Sequence, residues 1–256
     1  MHTRWLAAVL AMPVAALCAP APLDSIRQCM SGNLPKSLRV QAVEMTTWDR
    51  AGQSRVMKGR IFGAREQERG RLMAQIQSPG DLAGTAFLVR EAEAAAEMYV
   101  YLPTVNRVKR IGGSTLNGKL WGTDFSYDEF RRVSNAFAGG RVTLTGAAEY
   151  DGRPVHVLRL TPTAAEGEAY DSIGVLVDQK TCVPLKAEFR QAATVRKLMT
   201  VPAEALRQAG SQWYPAELTL RDLVEGTRTR LRVTEVSAGA RLSASYFHPQ
   251  QFYSVR

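Results

Sequence analysis

Residues 99–130 read YVYLPTVNRVKRIGGSTLNGKLWGTDFSYDEF, and the change of character along this stretch decides the fold. It begins as a strand: Met98, Val100 and Leu102 share one face, Tyr99 and Tyr101 the other, and Pro103 closes the run. A basic cluster follows at Arg107, Lys109 and Arg110, then a loop holding Gly112, Gly113, Gly118 and Gly122. Residues 121–130 mix large rings with acidic groups and read as the entry to a short helix. Ser126 is its cap and Glu129, three positions on, the capping-box partner. Loops ordinarily shed apolar surface, so Trp121, Phe125, Tyr127 and Phe130 must cover something.

Outward from that stretch the dominant signal is period-2 alternation. Thr227, Thr229, Leu231 and Val233 oppose Arg228, Arg230, Arg232 and Thr234, and Leu185, Ala187 and Phe189 alternate with Lys186, Glu188 and Arg190. Turn signals separate such runs at residues 49–52, 151–154 and 225–226. The pattern predicts about ten or eleven strands, near 38–49, 53–64, 70–77, 85–91, 97–102, 142–149, 154–161, 169–178, 183–191, 194–201, 212–222 and 226–236, with one or two of these not forming. Helices are few: 22–32, 126–135, and a turn or two over 202–210. The aromatic run Tyr246, Phe247, Phe252 and Tyr253 is expected to dock the C-terminus on the sheet. Long antiparallel hairpins with one apolar face suit a strongly curved sheet or incomplete barrel, with helices over the open side. No linker-like composition divides the chain, so residues 22–256 are expected to form one domain.

The first 21 residues read as a cleaved export signal. Arg4 supplies the charge, residues 5–17 are an apolar core interrupted by Pro13, and Ala19 and Ala21 are small. The run is too short for a membrane span of about 20 residues. Cys18 raises lipid anchoring, but bulky Leu17 precedes it, which favours simple cleavage and a periplasmic protein. Cys29 and Cys182 then remain in an oxidising compartment, where a bridge is expected; the alternative is two unrelated buried thiols. The formal net charge is +9, spread along alternating strands as a solvated face or as attraction to an acidic or anionic-lipid partner. Export argues against nucleic acid.

Little here serves an enzyme. His156 and His248 stand apart from each other and from any acidic residue at metal-ligand spacing, so neither metal nor cofactor is expected. Nucleophile elbow, phosphate loop and zinc-protease motif are all missing. Ser126 lies between Asp124 and Asp128 with no histidine in the segment. It reads as a helix cap, and the carboxylates as partners of the helix dipole. The curved sheet must either fill its apolar face with side chains or leave an acyl-sized space beneath a lid; both remain open on composition and spacing.

Met98-Tyr-Val-Tyr-Leu-Pro, Arg107-Val-Lys-Arg-Ile and Leu120-Trp-Gly-Thr-Asp-Phe-Ser-Tyr-Asp-Glu-Phe resemble the signature of the outer membrane lipoprotein-sorting protein family, a LolA-like group of periplasmic proteins. Asp81-Leu-Ala-Gly-Thr-Ala, Asp151-Gly-Arg-Pro-Val and Val177-Asp-Gln-Lys-Thr-Cys-Val-Pro-Leu extend the resemblance over the chain beyond the signal. It implies a mainly β fold, an open antiparallel half-barrel whose short helices form a lid. It also implies acylated lipoprotein or lipid as cargo, received from or handed to an inner-membrane exporter and an outer-membrane acceptor. The alternative is a periplasmic sensor or scaffold that holds a protein partner. On this resemblance Trp121, Phe125, Tyr127 and Phe130 form the lid, and Gly122, Asp124 and Ser126 shape its loop. Phe87, Val89, Met98, Val100 and Leu102 line the concave wall, while Arg107, Lys109 and Arg110 face a partner or headgroup.

Overall fold

The computed structural model describes residues 22–67, 69–93, 95–163, 169–240 and 244–254. The expected signal, with Cys18, lies outside the described residues. Thirteen strands form one sheet: β1 (Leu38–Trp48), β2 (Ser54–Glu66), β3 (Arg69–Ser78), β4 (Ala86–Arg90), β5 (Glu97–Leu102), β6 (Arg107–Ile111), β7 (Arg141–Tyr150), β8 (Arg153–Thr161), β9 (Ser172–Asp178), β10 (Pro184–Gln191), β11 (Thr194–Thr200), β14 (Glu217–Asp222) and β15 (Thr227–Ala240). A separate hairpin pairs β12 (Leu206–Ala209) with β13 (Gln212–Pro215). Two helices complete the frame, α1 (Leu23–Gly32) and α2 (Tyr127–Ser134).

The sheet order is β6-β5-β4-β3-β2-β1-β15-β14-β11-β10-β9-β8-β7, antiparallel throughout, and it does not close: β6 and β7 are free edges. It is the mainly β, open LolA-like half-barrel that the strand pattern and the resemblance imply. Alternation places Val43, Met45, Met57, Ile76, Phe87, Val89, Met98 and Val100 on an inner face, where Ile26 and Met30 of α1 and Phe130 of α2 pack against them. The outer face carries a second cluster. Leu38, Phe62, Met73, Ala86 and Leu88 are covered by Phe247 and Phe252 from the C-terminal segment. Tyr253 stacks on Tyr101 with ring centroids 3.9 Å apart, and Tyr246 meets Phe62 at 5.1 Å. This double covering explains β4, whose first four residues are all buried: a strand clothed on both faces loses its alternation.

Three local expectations change. The basic run 107–111 is a strand, because an edge strand needs only one paired side and tolerates outward charge. Residues 203–205 make a single 3-10 turn, and the rest of the segment expected to turn helically enters the β12–β13 hairpin. The long strand expected over 212–222 is broken at Ala216. Its N–H donates to the Ala205 carbonyl at 2.8 Å and its carbonyl accepts from Val233, which leaves β13 with β12 and β14 with the main sheet.

Cys29 of α1 is joined to Cys182 in the β9–β10 turn, across a sequence separation of 153. That turn is built around Asp178, wholly buried, which accepts from the Arg153 guanidinium at 2.7 and 2.9 Å and from the Thr181 N–H at 2.7 Å. Asn33, capping the C-terminus of α1, donates to the Thr181 carbonyl at 2.7 Å and accepts from the Trp213 N–H at 2.9 Å. Helix, turn and hairpin therefore meet on one amide side chain.

Candidate functional site

The segment that opened the sequence closes over the inner face. A 3-10 turn at Gly113–Asn117 leads to a bridge between Lys119 and Ser126. Within it Leu120–Thr123 is a tight turn: the Thr123 N–H donates to the Leu120 carbonyl at 2.9 Å, with Trp121 at φ 53° and Gly122 at φ 74°. Two successive left-handed residues define a type I′ turn, so Gly122 is there for its backbone freedom, while Trp121 holds a conformation bulky residues seldom adopt.

Asp124, after the turn, fixes the loop to the sheet. Its carboxylate accepts from the hydroxyls of Thr227 and Thr229, the latter at 2.6 Å, and its N–H donates to the Thr229 hydroxyl at 2.9 Å. Lys197 of β11 reaches up from the inner face and donates to the Asp124 carbonyl at 2.6 Å and to Glu129 Oε2 at 2.9 Å. Ser126 and Glu129 form the capping box at 3.1 and 2.7 Å. The second Glu129 oxygen accepts from the Tyr170 hydroxyl; burial, and then this carboxylate, push the phenol far above its ordinary range. Serine and carboxylates alike thus hold the start of α2.

Packing continues the same job. Phe130 stands at the centre of the lid rings, 5.8 Å from Phe125, 6.4 Å from Trp121 and 6.1 Å from Phe87 of β4, with Tyr127 5.2 Å from Phe87. Behind this cluster the end of α2 stands off the sheet. A cavity of about 170 Å³ opens there, walled by Ile61, Leu72 and Val89 from one half of the sheet, Met199, Leu218 and Leu231 from the other, and Phe125, Phe130 and Val133 from the lid. A second cavity of about 310 Å³ adjoins it beneath α1, walled by Val142, Leu158, Leu160 and Val175. Met30, Leu34 and residues 135–137 line both. Ala136 and Phe137 in that partition take φ of 50° and 57°, a second left-handed pair without glycine.

The residues singled out from sequence divide into groups. Phe125, Phe130 and Val89 line the first cavity. Phe87, Met98 and Val100 are buried in the inner-face core beside it, and Leu102, Trp121 and Tyr127 pack half-buried against that core. Gly122, Asp124 and Ser126 are turn, anchor and cap. The basic trio does not converge: register sets Arg107 and Lys109 beside Leu102 and Val100, while Arg110 lies across from Tyr99 on the other face. Sequence reading missed Lys197, Tyr170, Leu72 and Arg39. The signal for two of them is an inward charge: Lys197 shares the strand face of Met199, and Arg39 that of Val43 and Met45. Among the described residues no group of three or more His, Cys, Asp or Glu could hold a metal ion, and no helix is long and apolar enough to cross a membrane.

Three solved structures share this architecture. An outer membrane lipoprotein-sorting protein domain from Vibrio parahaemolyticus superposes with a TM-score of 0.79 at 21% identity, covering 90% of this chain and 97% of that one. A DUF1329 family protein from Desulfovibrio piger gives 0.78 at 19% identity, covering 89% and 97%. A LolA superfamily protein from Nitrosomonas europaea gives 0.69 at 18% identity, covering 88% and 96%. No curated protein matches the chain. A family model whose description reads "Uncharacterized protein" matches residues 68–253, most of the chain. The chain belongs to the family so described, and its fold is LolA-like.

Proposed function

We propose that this protein is a periplasmic carrier that shields an acyl chain, of a lipoprotein or of a lipid, and passes it between an inner-membrane exporter and an outer-membrane acceptor. The observation that carries the reading is the apolar cavity of about 170 Å³ between the inner face and the end of α2. An apolar void of about 150 Å³ is large enough to take up a small apolar ligand. The demand on such a carrier is large, since a chain of about fourteen methylenes exposed to water costs roughly 11 kcal/mol. The cavity answers it with Leu72, Leu218, Leu231 and Phe130, and with the second cavity continuing past Met30 and Phe137.

The polar network under α2 supports a lid that moves away from its anchored start. Residues 120–130 are tied to β11 and β15 by Asp124, Glu129 and Lys197, so the lid is fixed at its start. Expansion for cargo falls to residues 134–138, where the two cavities meet. Ser126, Asp124 and Glu129 act as cap, anchor and ion-pair partner, roles that favour a carrier over a hydrolase.

The test is mass spectrometry of lipid co-purified from the periplasm, paired with titration of a fluorescent fatty acid into wild type and Leu72→Trp. The wild type is expected to carry acyl lipid and bind the probe. Leu72→Trp, which fills the cavity, is expected to bind it at least about tenfold more weakly with its melting temperature retained. A clean spectrum with no probe binding, or equal binding by the variant, overturns the reading.

A further inference from the structure

The cavity wall is mainly apolar; its charged members are Arg39, Arg71, Arg131 and Glu91, and two of the three cations are neutralised. Arg71 has Glu66 at 3.1 Å and donates to the Glu91 carbonyl at 2.7 Å. Arg131 has Asp128 at 2.9 Å and Glu91 at 3.2 Å. Arg39 is different. It belongs to the inner face of β1, in register with Gly63 of β2, which places no side chain beside it. Among the described residues its guanidinium meets the Gln212 Oε1 at 3.5 Å, the limit of a hydrogen bond, and the face of Tyr214, with Cζ 5.8 Å from the ring centroid. The Gln212 amide nitrogen donates to the Leu34 carbonyl at 2.8 Å, which holds the side chain in place with its neutral oxygen toward Arg39. Among the described residues no carboxylate pairs with Arg39. Burial lowers its pKa, and the more distant Tyr214 only partly offsets that.

A half-buried guanidinium on the wall of an apolar cavity, without a counter-ion, is costly unless something supplies the charge. Its planar fork of N–H donors matches a carboxylate or a phosphate in bidentate fashion. The surroundings fit an amphiphile whose head stops there. Leu34 and Pro35 border the same stretch of wall, and Trp213 and Tyr214 present rings with a polar tip, the side chains suited to an apolar–polar boundary.

We infer that Arg39 is the headgroup site of the cavity, and that the cargo is an anionic amphiphile, a carboxylate or phosphate ester with its chain along Leu72 and Leu231. This rests on the carrier reading and narrows it: neutral and cationic amphiphiles are poor cargo.

The experiment is displacement of a fluorescent fatty acid by four probes: dodecanoate, dodecyl phosphate, dodecanol and inorganic phosphate. Wild type is expected to bind the two anionic amphiphiles about tenfold or more tighter than dodecanol, as a charge-assisted hydrogen-bonded pair should. Inorganic phosphate alone is expected to displace nothing. Arg39→Met is expected to bring all three chains to the affinity of dodecanol, and Arg39→Lys to restore part of the preference. Equal affinity of wild type for the three chains overturns the inference while leaving the carrier standing, as does an unchanged preference in Arg39→Met. Displacement by inorganic phosphate overturns it too, since the site would then serve free anions. Failure of every chain to bind wild type removes the carrier reading and the headgroup site with it. The preference of wild type needs no variant, so the test survives a substitution that fails to fold.

Discussion

Replacing Lys197 with methionine isolates what holds the lid. Methionine keeps most of the buried stem and removes the ammonium, which donates to the Asp124 carbonyl at 2.6 Å and to Glu129 at 2.9 Å. The lysine side chain is 11% exposed and that of Glu129 1%, so water cannot take over the lost contact. Glu129 would keep the Tyr170 hydroxyl and the Ser126 N–H but lose the cation it pairs with. Breaking one half of a buried ion pair typically costs about 3–5 kcal/mol. At roughly 2–4 °C per kcal/mol for a chain of this size, the melting temperature should fall by about 6–20 °C. Thermal and urea unfolding followed by circular dichroism measure the loss, and hydrogen exchange across 120–130 locates it. The double variant Lys197→Met, Glu129→Gln should recover part of the stability, because the orphaned charge is gone. A loss below about 1 kcal/mol in Lys197→Met, typical of an exposed pair, would refute the view that this network clamps α2.

The bridge and the turn beneath it allow two more predictions. Changing Cys29 and Cys182 together to alanine, or adding reductant, should lower stability by up to about 5 kcal/mol on chain-entropy grounds, read as a drop in the urea midpoint; a midpoint that does not move would show that Asn33 and the packing of Ile26 and Met30 hold α1 without the bridge. Burial acts to raise the pKa of Asp178, but Arg153 and Thr181 outweigh it and hold the carboxyl below the usual carboxylate range. A lowered native pKa means that its stabilisation is complete above about pH 4 and disappears as pH falls through the lowered value. Asp178→Asn should therefore flatten the acid limb of a urea-midpoint profile, and an acid limb identical to wild type would count against it.

What could be read without coordinates depended on how local its cause is. The Ser126–Glu129 capping box spans three residues and was legible in full. The strands of the inner face were legible too, since alternation needs no knowledge of the partner, and so was the docking of the C-terminal rings. The clamp was not. Asp124 had a loop-shaping role only through the resemblance; its partners Thr227, Thr229 and Lys197 lie far along the chain, and nothing near it announces them. Edge strand β6 hid behind its arginines for a related reason: with one side unpaired, it had no apolar pattern to show. The cavity wall draws Leu72, Leu231 and Phe130 from three distant segments, so its shape exists only once the sheet order is known.

That order has a consequence for how the molecule comes together. The six strands β1 to β6 form a continuous meander, and β7 to β11 form another, each buildable from neighbours in the chain. The halves share no ladder until β15 slots between β14 and β1, pairing Trp48 with Arg228 and Met45 with Leu231. Loop closure across most of the polypeptide must come before that reward, which makes the central seam the slow step of assembly. Until it forms, β1 and the outer side of β15 are unguarded edges, and the final strand is both the keystone of the half-barrel and its protection against pairing with a second chain.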